Sequence, residues 1–525
     1  MTIEEHPQPA KLVTMLLRPG TAPDGPPCLL DGARSYTRRQ VGNAVARTVA
    51  ALRAEGIGTG DRVLALLDHD ADGVFFLAAA SALGLRVLMP YNLQAAALSE
   101  WRNIIASARP DVVVHLKQDA GTVHELRGLG PRVVRLAPDT PDAGEADEPL
   151  ELDHPAPVEN FLILFTSGTT GAPKAISISE ALICRRVVSV TDHLKFSGDA
   201  RIFMTGLLNN TTGVIFSFGA LLHDALLVFP DGRNLADWPA QVAAHGATHV
   251  MLRPIAMKRF TDAAEATGAD LGSLRVVAYG AASMPRAVLE HGREVMPCDW
   301  VQGYGLSETF GPFSWLDEAG HSERRYRDHA YCVGRPDDTL EVRLLPVTGH
   351  PEGVGEVALR GDAVMEGYYD VATRRVEPPG EWLRTGDLGQ WSPAGDLILK
   401  GRINSSLMSA NGHRIYPEEV EAVLAELPGV DEVVLIGVAG QGTLEDRPTA
   451  CFSGPLSREE PAAVRRAVAG RLGQVLSREK WPDLVYASPE PFPKSGNDKV
   501  MKGEVAKGIR PEALIQLVEE DGRER

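Results

Sequence analysis

Positive charge is scarce in this chain, and the deficit limits what the protein can bind. Its 525 residues carry 53 lysines and arginines against 70 aspartates and glutamates, which gives a formal net charge of −17. Nucleic acids and anionic membrane surfaces are bound through basic patches, so this balance argues against both as partners. An anionic ligand would have to meet positive charge that is concentrated locally, and Lys174, Arg402 and Lys499 are the candidates.

Cysteine and long apolar runs are also scarce. The five cysteines are scattered and form no C-x-x-C pair, which is typical of a reducing compartment and predicts no structural zinc. The longest apolar runs, at 74–85 and 213–229, are too short or carry polar residues, whereas a membrane span needs about 18 clean apolar residues. The first ten residues are acidic and contain two prolines, unlike a secretory signal. We therefore expect a cytoplasmic protein without a membrane segment.

What is present is an ordinary globular composition, 44% hydrophobic and 23% charged, over a length too great for one core. Helical and strand patterns alternate through the first part of the chain. Helices are predicted at 36–56, 72–83 and 238–245, and strands at 62–67, 86–89, 112–115, 161–165, 225–229 and 248–252. Such alternation predicts a largely parallel sheet covered by helices on both faces.

From about residue 335 the pattern changes, and it predicts a smaller β-rich subdomain with short strands at 340–345, 355–360 and 396–399. Beyond it we expect a helix that begins at Pro417, a strand over 430–438 and a basic amphipathic helix over 462–472. The sequence therefore predicts an α/β fold, with a large N-terminal domain over residues 1–402 and a small C-terminal α+β domain over residues 403–525.

One segment is distinguished by its chemistry: FTSGTTGAPKA, residues 165–175, follows a predicted strand. Its glycines let backbone N–H groups approach an anion, its hydroxyls can donate to phosphate oxygens, and its lysine adds a mobile positive charge. The residues predicted to hold phosphates are Thr166, Ser167, Gly168, Thr169, Thr170, Gly171 and Lys174. Ala172 and Pro173 precede the lysine, so this is not the P-loop signature, and an ordinary Ser/Thr/Gly surface turn is the alternative.

Four further segments follow in order: QGYGLSET at 302–309, TGDLG at 385–389, KGR at 400–402 and PKSGNDK at 493–499. Together with the hydroxyl-rich loop they resemble the adenylate-forming superfamily, which contains acyl-CoA and aryl-CoA synthetases, the adenylation domains of peptide synthetases and firefly luciferase. The likeness extends over nearly the whole chain. It implies ATP and Mg²⁺ as ligands, and a C-terminal domain that is a mobile lid rotating between two half-reactions.

The resemblance implies a task for the matched residues around the base and the phosphates. Glu308 matches the magnesium-binding acid, Thr309 is expected near the α-phosphate, and Tyr304 is expected to flank the adenine. The alternative for Glu308 is a first-turn glutamate that balances a helix dipole. The other residues expected around the nucleotide, where the glycines would allow close approach, are Gly280, Ala281, Ala282, Gln302, Gly303 and Gly305.

Asp387 and Arg402 are the expected ribose partners, since a single carboxylate can accept from both ribose hydroxyls. Local chemistry alone favours a simpler interpretation, an Asx turn over residues 385–387. Lys499 follows Pro493 by six residues, as the family's C-terminal catalytic lysine does, and would bridge the substrate carboxylate and the α-phosphate. The alternative for Lys499 is a solvated loop lysine.

The chain departs from the family pattern at the hinge and the Gly412 loop, which the resemblance assigns to the thiol-accepting conformation, and at Asp498. Asn404 replaces the usual Asp or Lys of the hinge, and the loop before Gly412 is one residue longer than usual. Asp498 stands where a glycine commonly precedes the lysine. These changes bear on transfer to CoA more than on the use of ATP.

The expected acid pocket is polar. Asn210 stands where many acyl- and aryl-acid ligases carry a histidine or an aromatic residue three positions before a glycine, here Gly213, and Asn209 adjoins it. Burying an unpaired amide costs roughly 1–3 kcal/mol, so these amides favour a small or polar acid over a long fatty acid. Arg253 would add positive charge at the same end, and a surface arginine is the alternative.

The expected activity is ATP- and magnesium-dependent adenylation of a small carboxylic acid, followed by transfer to a thiol such as CoA or a carrier-protein arm. One alternative is ATP-dependent activation of nitrite for diazotisation of an aryl amine. Another is a degenerate paralogue that binds nucleotide without turnover, although the retained Lys174, Glu308, Asp387 and Lys499 argue against it. The sequence leaves the acid, the acceptor and the choice between a monomer and a homodimer open.

Overall fold

The computed structural model of the chain describes residues 11–16, 25–90, 102, 104–106, 108–116, 120–137, 139–141, 150–166, 174–232, 234–282, 284–323, 325, 331–370, 373–408, 414–439, 446–494 and 500–517. The helices are α1 Leu12–Leu16, α2 Arg38–Ala54, α3 Ala71–Leu83, α4 Ala120–Gly128, α5 Glu180–His193, α6 Thr211–Leu222, α7 Trp238–His245, α8 Pro254–Thr267, α9 Arg286–Val295, α10 Glu318–Ser322, α11 Pro417–Leu424, α12 Pro461–Val475 and α13 Lys502–Gly508.

The strands are β1 Leu29–Asp31, β2 Arg34–Tyr36, β3 Arg62–Leu66, β4 Arg86–Pro90, β5 Val112–His115, β6 Val133–Arg135, β7 Leu162–Thr166, β8 Lys174–Ile178, β9 Arg201–Phe203, β10 Leu226–Phe229, β11 His249–Leu252, β12 Val276–Gly280, β13 Asp299–Leu306, β14 Gly311–Leu316, β15 Arg335–Pro336, β16 Leu340–Pro346, β17 Val354–Gly361, β18 Gly367–Asp370, β19 Arg375–Glu377, β20 Leu383–Trp391, β21 Leu397–Arg402, β22 Leu407–Met408, β23 Arg414–Ile415, β24 Glu432–Ala439, β25 Asp446–Ser453, β26 Leu484–Ser488 and β27 Leu514–Gln516.

Two large sheets form the first part of the chain, and both are largely parallel, as the alternating pattern predicts. The nine-stranded sheet has the order β15-β14-β13-β12-β11-β9-β10-β1-β2, and the eight-stranded sheet has the order β19-β18-β8-β7-β4-β3-β5-β6. The central strands of each sheet run parallel, with antiparallel strands only toward the edges. All carboxyl ends of the parallel strands therefore meet at one edge of each sheet, where α/β folds place their ligands.

Helix boundaries follow local capping chemistry. Helix α2 begins after Thr37, whose side chain accepts from the backbone of Gln40 while the Gln40 side chain reaches back to Thr37. This capping box satisfies backbone donors that the first helical turn leaves open. Helix α3 begins after Asp70 and ends at Gly84, which adopts a left-handed φ of 74°. The apolar run at 74–85, which is too short to span a membrane, lies mostly in this helix. The helix is buried on every face.

A third sheet of four strands, β16-β17-β20-β21, is the β-rich part predicted from about residue 335. Strand β21 continues to Arg402, further than predicted. Strand β20 was not predicted, because its glycine-rich centre has the composition of a turn. The pairing of β20 with β21 sets Asp387 opposite Arg402.

The C-terminal elements surround apolar clusters of their own. The larger cluster contains Ile415, Val420, Leu424, Val464, Val468, Leu472 and Val485. The four-stranded sheet β24-β25-β26-β27 lies beside it. Pro417 occupies the first turn of α11, as predicted, where its missing N–H has no cost.

The start of the described chain is held by a buried ion pair. Lys11 lies 3.0 Å from Glu180, and their side chains are 1% and 0% exposed. The Glu180 carboxylate also accepts from the backbone N–H groups of Leu12 and Val158, so this buried charge is paired and hydrogen-bonded. Within the described residues, no helix has the length and apolarity that crossing a membrane requires.

Candidate active site

The carboxyl edges of the two large sheets face each other through the loop that follows β9. Asn209 donates from Nδ2 to the carbonyl oxygen of Pro90, 3.4 Å away, at the end of β4. The His69 Nε2 atom, just beyond β3, lies 2.8 Å from the carbonyl oxygen of Met204. The space between the edges is therefore lined by residues that follow parallel strands of both sheets.

The hydroxyl-rich loop joins two strands at this edge. Thr166 ends β7 and pairs with Lys174, which begins the antiparallel β8. The two ends of the loop are therefore adjacent. The predicted site residues Ser167, Gly168, Thr169, Thr170, Gly171 and Lys499 lie outside the described residues, as do Gly412 and Asp498.

Glu308 lies close to the strand that Lys174 begins. It occupies a short 3-10 turn, Ser307–Thr309, so there is no long helix whose dipole it could balance. The Glu308 carbonyl oxygen accepts from the Met365 N–H at 2.8 Å, and β18, which begins two residues later, pairs with β8. Burial and, second, the charge of Glu308 raise the pKa of Tyr368 in β18. The turn that carries Glu308 therefore lies beside the β8–β18 pair.

Thr309 is fully buried and hydrogen-bonded to the backbone. Its hydroxyl donates to the carbonyl oxygen of Gly311 at 2.7 Å and accepts from the N–H of Leu306 at 3.1 Å. These bonds close the turn that holds Glu308. In this structure Thr309 shapes the turn, and its hydroxyl is already occupied.

Tyr304, Asp387 and Arg402 form one cluster. The Tyr304 hydroxyl donates to Oδ2 of Asp387 at 2.6 Å, and Arg402 Nε lies 3.0 Å from Oδ1. Arg402 also donates to the Thr385 carbonyl oxygen at 2.6 Å. The Tyr304 ring packs edge-on against Phe313, with centroids 5.1 Å apart. The residues predicted for the base and for the ribose are therefore in direct contact.

The Asp387 carboxylate is shielded, with only 13% of its side chain exposed, whereas Arg402 is 53% exposed. Burial raises the pKa of Asp387, although the Arg402 charge and the Tyr304 hydroxyl act in the opposite direction. Burial also raises the pKa of Tyr304 well above its usual value. Tyr304 is therefore a neutral donor at physiological pH.

The turn at residues 385–387 differs from the Asx turn that local chemistry favours. The backbone N–H of Asp387 donates to the hydroxyl of Thr385, two residues earlier, at 3.0 Å, so the side chain that closes the turn is the Thr385 hydroxyl and not a carboxylate. Gly386 adopts a left-handed φ of 75°. Thr385 thus closes the turn, and the Asp387 carboxylate is left to contact Tyr304 and Arg402. This role of Thr385 was not predicted from the sequence, although turns closed by a Ser or Thr hydroxyl have a known local signature.

The glycines of β12 and β13 have a reason within the protein. A Cβ on Gly280 would lie 2.3 Å from the carbonyl oxygen of Gly303, and one on Gly305 would lie 2.1 Å from that of Gly311. A Cβ on Gly303 would lie 2.8 Å from the ring of Pro312. Close approach of neighbouring strands therefore explains these glycines without a ligand.

Two features at this end are not explained by strand packing. Gln302 Oε1 is buried and has no hydrogen-bond donor among the residues that the structure describes. A buried acceptor without a donor is costly, so this oxygen could accept from a donor outside the protein. Ala281 and Ala282 are exposed just beyond β12, with Ala281 at a left-handed φ of 64°.

At the expected acid pocket, Asn210 caps helix α6. Its side-chain oxygen accepts from the Gly213 N–H at 3.1 Å. A Cβ on Gly213 would lie 2.1 Å from the carbonyl oxygen of Leu207. Glycine at position 213 therefore lets the backbone before α6 pack closely against the first turn of the helix. Arg253 is exposed at the start of α8, just beyond β11. The amide oxygen of Asn210 therefore has a structural partner, and Arg253 has the exposure expected of a surface arginine.

Known proteins resemble this chain over most of its length. A family model described as AMP-binding enzyme matches residues 19–369. The chain is 28% identical to indoleacetate–CoA ligase of Aromatoleum aromaticum over 77% of this chain and 80% of that protein, and 27% identical to sulfoacetate–CoA ligase of Cupriavidus necator over 88% and 89%. The anthranilate CoA ligase AuaEII, solved with anthranoyl-AMP, has the same fold, with a TM-score of 0.79, 20% identity, and 97% of this chain and 98% of that chain covered.

The matched region contains the nine-stranded sheet, the Glu308 turn and the eight-stranded sheet up to β18, within which it ends; the edge strand β19 lies beyond it. It spans well over half of the chain. The chain therefore belongs to the AMP-binding enzymes, the adenylate-forming family.

Proposed function

We propose that the protein adenylates a small carboxylic acid with ATP and then transfers the acyl group to a thiol. In the first step an oxygen of the acid's carboxylate bonds to the α-phosphorus of ATP, and the bond from that phosphorus to the bridging oxygen breaks, releasing pyrophosphate. In the second step the sulfur of the thiol, having lost its proton, bonds to the acyl carbon and AMP leaves.

The observation that carries the proposal is the contact of Tyr304 and Arg402 with Asp387. A shielded carboxylate beside an aromatic ring suits a ribose and its base, because the carboxylate can accept from both ribose hydroxyls. The buried acceptor of Gln302 suits the amine of adenine. We assign Asp387 and Arg402 to the ribose, and Tyr304 and Gln302 to the base, with Gly280, Ala281 and Ala282 along the base's edge.

Phosphate binding is assigned to the hydroxyl-rich loop of residues 166–171 and to Lys174. Two anions must meet during adenylation, so the transition state needs positive charge and donors held in place. Glu308 fits Mg²⁺, which prefers carboxylate oxygens, since it lies beside the strand that begins at Lys174. When bound, Mg²⁺ would neutralise phosphate charge. Thr309 is assigned to holding Glu308 in place.

We propose a lid that begins at residue 403, with residues 1–402 as the larger domain. The separate apolar cluster of the C-terminal elements supports this boundary. Lys499 of the lid would bridge the acid's carboxylate and the α-phosphate. Asn404 lies in the 3-10 turn Ile403–Ser405, immediately after the boundary. CoA or a carrier-protein arm is the proposed acceptor.

The acid is proposed to be small. The relatives named for indoleacetate and sulfoacetate act on acids with quite different side chains. The size of the acid is therefore inferred from the pocket residues of this chain. Asn209 and Asn210 put polar groups beside the carboxyl edges, and the amide of Asn209 is held by Pro90.

Product analysis tests this proposal. The enzyme would be incubated with ATP, Mg²⁺ and a panel containing small aryl acids, polar acids, decanoate, and nitrite plus an aryl amine, with and without CoA. Mass spectrometry should find AMP and an acyl adenylate with a small acid, and a thioester only when CoA is added. Preference for decanoate would contradict the small-acid assignment. A diazo product formed without CoA would replace the thiol reaction.

A further inference from the structure

Two consecutive arginines in helix α5 have opposite environments. Arg185 is exposed and donates to the carbonyl oxygen of Asp362 at 3.0 Å. The side chain of Arg186 is only 1% exposed. A buried guanidinium cannot lose its proton at any ordinary pH, so its charge needs partners inside the protein.

Arg186 finds its partners in two other segments. Its Nη2 atom donates to the carbonyl oxygen of Pro312 in β14. Its Nη1 atom lies 3.3 Å from Oδ2 of Asp337, whose side chain is 6% exposed, and 3.4 Å from the hydroxyl of Thr339. The backbone N–H of Asp337 also donates to the carbonyl oxygen of Phe313, at 2.8 Å. One planar cation thus bridges β14 and the turn that follows β15.

Each bridged segment leads to a part of the candidate site. Helix α5 follows β8, which begins at Lys174. Pro312 is paired with Gly305, at the point where the β13–β14 register shifts beside Tyr304. The turn with Asp337 leads into β16, at the edge of the sheet that holds Asp387. Arg186 is therefore the point at which the phosphate, base and ribose segments are tied together.

The energetic cost of burying Arg186 indicates which property the charge adds to the fold. Desolvation lowers the pKa of Arg186, with Asp337 acting against it. Replacing a buried ion pair by apolar residues of similar volume is often neutral or stabilising. Stability alone therefore gives no reason for a charge here. A planar guanidinium does fix directions that apolar packing leaves free, because its donors point along set axes.

We propose that Arg186 is a positioning residue for adenylation, which sets the β13–β14 register shift that carries Tyr304 against the sheet that carries Asp387. This rests on the proposed function for the identity of the nucleotide. Arg186 contacts neither substrate. It acts through Pro312 and Asp337, and its loss should displace Tyr304 relative to Asp387.

The test compares Arg186→Met, Arg186→Lys and the neighbouring control Arg185→Gln. For each variant one measures the urea unfolding midpoint, the Kd for AMP by calorimetry, and KM for ATP and kcat with the best acid. A displacement of about 1 Å can cost on the order of a hundredfold in a positioned site. We expect Arg186→Met to weaken AMP binding and raise KM for ATP by roughly tenfold to a hundredfold, and Arg185→Gln to leave both unchanged.

Arg186→Lys should fall between the wild type and Arg186→Met, because an ammonium cannot hold Pro312 and Asp337 in the same plane. A purely structural role predicts a lower unfolding midpoint with AMP binding intact in the folded fraction, and that result would overturn the proposal. If Arg186→Met does not fold, Asp337→Asn is the second test, because it should also weaken AMP binding. Wild-type AMP affinity in Asp337→Asn would contradict the proposed positioning role of Arg186. If the wild type binds AMP but adenylates no acid, the proposed function fails, while the comparison of AMP affinities still judges Arg186.

Discussion

The Asp387→Asn substitution separates the proposed ribose role from a structural one. The carboxylate now accepts from Tyr304 on Oδ2 and faces Arg402 with Oδ1. An amide can accept on one atom only, so one ribose hydroxyl would lose a charge-assisted bond worth about 1.5–3 kcal/mol. At 1.4 kcal/mol per tenfold, this weakens AMP and ATP binding by roughly ten- to 150-fold. Calorimetric titration with AMP measures the change directly.

Stability provides the control, and its sign follows from the pKa. Burial raises the folded-state pKa of Asp387 above its ordinary value of 3.8, so the folded state holds the proton more tightly than the unfolded state. The stability contributed by this proton is present at low pH and is lost as pH rises through the raised pKa. Near neutral pH the ionised carboxylate therefore lowers the free energy of unfolding. Asp387→Asn removes this charge and should not lower the urea unfolding midpoint.

The same pKa predicts a pH dependence for binding. Only the ionised carboxylate accepts from both hydroxyls, so the wild type should lose AMP affinity as pH falls through the raised pKa of Asp387. The Asp387→Asn variant should lack this acid limb. Unchanged AMP affinity in the variant, or the same acid limb in both proteins, would refute the ribose assignment and return Asp387 to a structural role.

Substitutions at three further positions test strand packing, a buried ion pair and a helix cap. Gly305→Ala places a Cβ 2.1 Å from the Gly311 carbonyl oxygen, so urea unfolding should show a loss of roughly 1–3 kcal/mol, together with weaker AMP binding. Glu180→Gln leaves the Lys11 charge buried without its partner and should cost about 3–5 kcal/mol of unfolding free energy; a loss below 1 kcal/mol would mean that water reaches the pair. Asn210→Ala removes the α6 cap and should cost about 1 kcal/mol, whereas Asn210→Asp keeps it; equal stability of the two would argue against the cap.

Local patterns located several helices and parallel strands, whereas the helices α5, α6, α8 and α9 and the strands β9, β12 and β13 were not predicted. Helix α7 has the same bounds as its prediction, and α2 and α3 differ only at their ends, because periodicity and capping residues are local signals. Strand β20 was missed, since Gly386 at a left-handed φ inside a strand has the composition of a turn. The extension of β21 to Arg402 was missed for the same reason at Gly401, whose φ is 122°.

The site shows the same division between local and distant information. Motifs identified Tyr304 and Asp387 separately, but their hydrogen bond joins residues 83 positions apart, and no local pattern predicts it. The glycines of β13 were interpreted as room for a nucleotide, and the structure shows a further reason for them, the close packing of β13 against β14. Arg186 carried no signal at all, because a buried arginine and its exposed neighbour look alike in the sequence.

Acid-dependent exchange of pyrophosphate into ATP tests the central claim most directly, since it reports the first half-reaction without any acceptor. The wild type should exchange pyrophosphate only when a small acid and Mg²⁺ are both present. Lys499→Ala should lower that rate by at least about two orders of magnitude, the scale of a lost transition-state charge contact, while AMP still binds. Exchange that needs no acid, or an equal rate in Lys499→Ala, would contradict the account.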